Sequence, residues 1–83
     1  MKNISVEQAK AARALLMWNQ EILANKAGLG IATIKRIESL SGPLSGTEST
    51  VSAIRSALEN AGVEFIADGE ASANGGAGVR LKE

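Results

Sequence analysis

Apolar positions recur at helical spacing through residues 1–62 and then change period. Ala9, Ala12, Leu15 and Leu16 form one inward stripe, which predicts a first helix from Ser5 to about Met17. Ser5 and Gln8 have the spacing of a capping box, in which each side chain satisfies an orphan N–H at the helix start. Trp18 and Asn19 break the run. Asn19 suits the N-cap of a second helix, and Trp18 is placed to staple onto Leu23 across it. That helix should stop at Gly28, where the chain needs a positive φ that glycine adopts without a Cβ clash. Leu29, Ile34 and Ile37 mark the inward side of a third helix over residues 31–39, capped by Gly30. Residues 39–48, SLSGPLSGTE, break both periods and predict a loop with its turn at Gly42-Pro43. A fourth helix is expected from about Ser49 to Ala61, with Val51, Ile54, Leu58 and Ala61 inward and Gly62 as its stop.

Beyond Gly62 the alternation becomes strand-like in VEFI (63–66) and VRLK (79–82). The intervening ADGEASANGGAG has no apolar anchor and is expected to be mobile. A two-stranded ribbon is marginal alone, so it must pack on the helices, pair with another chain or fray. The predicted architecture is mainly α: a four-helix unit in residues 1–62, then a β-ribbon in 63–83 that belongs to the same domain or to a dimer interface.

Within this pattern Gln20–Glu38 stands out. A small residue at Ala24, then Gly28, Leu29, and Ile34 and Ile37 three apart, is the pattern of a helix-turn-helix, whose second helix enters the DNA major groove. At about 100° per residue, Ile34 and Ile37 project inward with Thr33 and Glu38 towards the flanks. Ala32, Lys35, Arg36 and Ser39 point the opposite way, with Ile31 at the edge of that face. Any surface helix shows charges outward. A merely solvated helix would not need the preceding helix, cap and glycine at matching spacing.

Composition narrows the function classes. Eighty-three residues support one small core. The formal charge is zero, yet residues 1–36 hold six basic and two acidic residues, and residues 37–83 hold three basic and seven acidic. Such a polarised chain can present one face to phosphate. Without His, Cys or Tyr the common acid–base and thiol devices are absent, and the carboxylates lack metal-ligand spacing. The glycine cluster is not a phosphate loop, since no G-K-[ST] follows. No enzyme, metal or cofactor is expected. No apolar run nears the roughly 20 residues that span a bilayer, and MKNISVEQ lacks a signal-peptide core. The expectation is a soluble cytoplasmic domain.

From Val6 to Phe65 the sequence resembles the phage repressor and Cro-like (Xre-type) family of helix-turn-helix transcriptional regulators. Similar sequences also end the fourth helix in AGVEF, followed by a Gly-rich turn and GVRL. The resemblance implies a lambda-repressor-like four-helix domain that binds an operator in double-stranded DNA as a homodimer, bacterial or phage in character. Matched position by position, it implies phosphate contacts from Asn19, Gln20, Thr33, Lys35 and Ser39, and base contacts from Ile31, Ala32 and Arg36. It also implies a structural pair between Arg13 and Glu38. The chain departs from the family at Gly30, Ile31 and Ala32, where Ser and polar residues are frequent, and at Met17, which is frequently Gly. Two apolar residues cannot read donors and acceptors but can pack on thymine methyl groups, which leaves Arg36 for guanine. The loop at 39–48 either offers backbone N–H groups to phosphate or is a plain connector. The alternative function is a protein-interaction module on the same fold, an anti-activator or antitoxin, which Ile31, Ala32 and Ile22 keep open.

Overall fold

The computed structural model describes residues 4–67 and 77–82. Four helices, α1 (Val6–Leu15), α2 (Gln20–Ala27), α3 (Ile31–Glu38) and α4 (Glu48–Asn60), precede two strands, β1 (Val63–Ile66) and β2 (Gly78–Leu81). Three of the helices begin at a side-chain cap. The Ser5 hydroxyl accepts from Gln8 N at 3.0 Å while Gln8 Oε1 accepts from Ser5 N at 2.9 Å, completing the capping box. Asn19 Oδ1 accepts from Ile22 N at 2.8 Å. Thr47 Oγ1 accepts from Thr50 N at 3.2 Å, so α4 starts at Glu48, just ahead of the expected Ser49.

The first helix is shorter than its apolar run implied. It ends at Leu15, and Leu15 is 42% exposed rather than inward. Nine residues separate it from the buried Val6, which puts it about half a turn round the helix from the core side. Val6, Ala9 and Ala12 make the buried stripe, with Leu16 packed beside it. The corner that follows places Met17 at φ +59° and leaves the residue 90% exposed. A left-handed conformation costs an L-residue about 1–2 kcal/mol, and no packing offsets it here. Met17→Gly should therefore stabilise the chain by about 1 kcal/mol, after allowing for the looser unfolded chain. A urea midpoint that stays put or falls would show that the corner carries no strain.

Ile34 and Ile37 of α3 meet Leu23 and Ala24 of α2 and Ile54 and Leu58 of α4 in one core. Ala61, expected inward, is exposed, because α4 has ended and Ala61 serves as its C-cap; Ala57 takes the buried position instead. The loop after α3 is more than a connector. Leu44 is buried, and an antiparallel bridge joins Pro43 to Ser5, with Val6 N donating to Gly42 O at 2.8 Å and Leu44 N to Ile4 O at 2.9 Å. The Glu7 carboxylate accepts from Gly42 N at 3.2 Å.

The ribbon is antiparallel, with Val63 opposite Leu81 and Phe65 opposite Val79. Its second strand lies one residue earlier than expected, at 78–81. Of its three possible fates, the described residues show packing on the chain's own helices: β1 lies against α4 and β2 against α1, and Val63 and Phe65 are buried. Gln8 Nε2 fastens the ribbon by donating to Ile66 O at 3.1 Å and Gly78 O at 3.0 Å. On the opposite face Arg80 Nε donates to Glu64 at 2.7 Å. That hydrogen bond and the guanidinium charge hold the Glu64 carboxyl below the usual carboxylate range. Whatever this exposed pair adds is present above the ordinary carboxylate pKa and is lost as pH falls. The segment expected to be mobile lies mostly in residues 68–76, outside the described residues.

Candidate nucleic-acid interface

Two helices and a three-residue turn present the candidate face. Gly28 closes α2 at φ +70°, and Leu29 N returns to Ala24 O at 2.9 Å, so the chain reverses without a strained side chain. Leu29 packs against the core and hands the chain to α3. One side of α3 is then buried through Ile34 and Ile37. On the other side Ile31, Ala32, Lys35, Arg36 and Ser39 are exposed, Ile31 to 36%, and Thr33 is half-buried at the margin. Five of the residues assigned to DNA from sequence thus lie along one side of one helix. Ser39 turns its hydroxyl back onto Arg36 O at 2.6 Å. Lys35 and Arg36 lie in the last turn, where their charge also complements the helix dipole.

The start of α3 is unusual. Gly30 is its N-cap with no side-chain hydrogen bond. Its φ of −74° is open to any residue, and a Cβ built there meets nothing within 4 Å. Neither conformation nor packing demands glycine at this position.

The far end of α3 is clamped. Arg13 Nε donates to Glu38 Oε2 at 3.0 Å and Nη2 to Oε1 at 2.8 Å, a two-pronged pair. The third guanidinium nitrogen, Nη1, donates to Trp18 O at 3.0 Å. Glu38 is not on a flank as the helical wheel suggested: its side chain is 5% exposed, against 21% for Arg13. Burial is tolerated because both carboxylate oxygens are taken up, Oε1 twice. Its second donor is Gln20 Nε2 at 3.1 Å. Gln20, assigned to phosphate from sequence, therefore commits one of its two N–H groups to this clamp. Lys10 Nζ also reaches Glu38 O at 3.5 Å.

The pattern of the sequence missed Lys10, Gln20 and the Trp18 carbonyl as members of this cluster. Lys10 was findable, since it stands three residues before Arg13 and shares its side of α1. Nothing local points Gln20 at Glu38. Asn19 is exposed at the start of α2, next to Gln20, with Oδ1 committed to its cap. Every buried side-chain nitrogen and oxygen among the described residues has a partner. No cluster of acidic, His or Cys side chains among them is grouped to hold a metal ion. No helix among them is long and apolar enough to cross a membrane.

What remains is a convex helix side with two cations and two small apolar patches, rigidly backed. No protein-family model matches the chain, and no curated protein matches it in sequence.

Proposed function

We propose that this chain is a sequence-specific DNA-binding transcriptional regulator that lays α3 in the major groove of an operator and acts in the cytoplasm as a homodimer. One observation carries the reading. The exposed side of α3 bears Ile31, Ala32, Lys35 and Arg36, while its opposite side is core and its end is gripped by Arg13 and Gln20 through Glu38. A reading head needs that rigidity, since base contacts depend on side chains arriving in a fixed register. A single helix of eight residues covers few base pairs, and two-fold doubling is the usual remedy.

Binding to duplex fragments from the chain's own promoter, measured across a salt series, tests the reading. Phosphate contacts make affinity fall steeply as salt rises. Arg36→Ala should cost about 1–3 kcal/mol and relax preference at one base pair, whereas Lys35→Ala should weaken all sequences alike and flatten the salt slope. A double variant with wild-type affinity and specificity would remove α3 from the interface. The exposure of Ile31 beside Ala32 favours the alternative, a protein-interaction module, and the same titration decides against DNA if no duplex is retained at low salt.

A further inference from the structure

We propose that Lys10 of α1 is a phosphate anchor, which holds the DNA backbone where the far end of α3 leaves the major groove. This rests on the DNA-binding reading above and deepens it, since it brings a further helix to the DNA.

The ammonium of Lys10 sits at the end of α3 although α1 supplies it. It reaches Glu38 O, the carbonyl of the last residue of α3, at 3.5 Å. The carbonyls just before it are taken by backbone: Lys35 O and Arg36 O by Ser39 N, and Ile37 O by Leu40 N. Lys10 therefore completes the end of α3 and sets a positive charge where the helix dipole favours one.

The carboxylates that could neutralise this charge are engaged elsewhere. The Glu38 carboxylate is filled by Arg13 and Gln20. Glu7 lies one turn before Lys10 on α1, but its oxygens accept from Gly42 N at 3.2 and 3.4 Å. Among the described residues neither acid forms an ion pair with Lys10. An ammonium carries three donors, and this one spends a single long bond on a neutral oxygen. Its charge is left for a partner outside the chain.

The geometry of docking brings a phosphate to that place. A recognition helix meets the base edges with its first residues. The major groove is about 8.5 Å deep, and the eight residues of α3 make a helix about 12 Å long. An α3 that enters by its start thus brings its other end level with the phosphates at the rim. Lys35 and Arg36 lie in its last turn, Lys10 adds a third cation at its end, and its one acid, Glu38, is buried. A compact, strongly hydrated ammonium suits a phosphate as a point charge and carries no sequence preference of its own.

The test uses the full chain and a duplex selected from a random pool, with affinity read by fluorescence anisotropy from about 50 to 200 mM salt. Losing one phosphate contact should lower the slope of log affinity against log salt by about 0.9, which is about 3.5-fold in affinity across that range. Lys10→Gln should show this change and weaken the selected duplex and an unrelated one by the same factor. Lys10→Arg should restore both. Lys10→Gln gives up one 3.5 Å hydrogen bond, so the fold survives it, as circular dichroism would record. A second measurement neutralises the phosphates of the duplex one at a time as methylphosphonates. The unaltered chain should lose affinity at a phosphate beside the bases that α3 covers, and Lys10→Gln should be indifferent to that position alone. An unchanged salt slope in Lys10→Gln would make Lys10 only the cap of α3, and overturn the inference while leaving DNA binding intact. A methylphosphonate profile that the variant leaves unaltered would do the same. Failure to enrich any duplex would instead overturn the DNA-binding reading, and this inference with it.

Discussion

Glu38→Ala should lower the stability of the chain by about 3–5 kcal/mol, the range for breaking a buried ion pair from one side. The Glu38 side chain is 5% exposed, and its carboxylate accepts from Arg13 twice and from Gln20 once. Removing it leaves the guanidinium of a side chain only 21% exposed with its Trp18 carbonyl contact and no counter-charge across from it. Small domains hold only about 5–15 kcal/mol in total, and short chains bury proportionately less. The variant should therefore be partly unfolded near body temperature, which urea titration followed by circular dichroism would register. The cost belongs to the orphaned charge rather than to the pair as such. Replacing both partners, Arg13→Met with Glu38→Leu, should recover most of it. A loss below about 1 kcal/mol in the single variant would place the pair among ordinary exposed salt bridges.

Gln8→Ala is expected to cost about 2–4 kcal/mol, because one side chain joins the start of α1 to the ribbon: Oε1 accepts from Ser5 N, and Nε2 donates to Ile66 O and Gly78 O. Gln8→Glu separates the two tasks. Glutamate also completes a capping box, so α1 keeps its start. Its second oxygen, however, confronts two carbonyl oxygens where an N–H₂ stood. Amide exchange should then accelerate across Val63–Ile66 and Gly78–Leu81 while α1 stays protected. Unchanged protection in the strands would mean that Val63 and Phe65 hold the ribbon by burial alone.

Features set by neighbours in sequence were legible, and those set by distant partners were not. The start of α2 and the turn after it were readable because Asn19 and Gly28 each act on backbone within a few residues. The outward side of α3 followed from helical spacing, and the exposure of Ile31, Ala32, Lys35 and Arg36 agrees with it. Glu38 shows where spacing fails: the wheel sets it on a flank, but Arg13, from another helix, draws it in. Leu44 is one apolar residue in a polar loop, with no period to mark it, and only the bridge from Ser5 to Pro43 carries it inward. Leu15 erred the other way, included in a stripe by its hydrophobicity although its angle points it to solvent. The strands of the ribbon were visible as alternation, but their resting place depends on Gln8, which its spacing to Ser5 marks only as a cap.

That last contact also sets a clock. Gln8 is made well before its carbonyl partners, which lie 58 and 70 positions later. At a synthesis rate of about 5–20 residues per second, the nascent first helix waits about 3–14 s before its clasp can close. Until then the side of α1 that receives β2, with the Gln8 amide on it, stands uncovered on the growing chain.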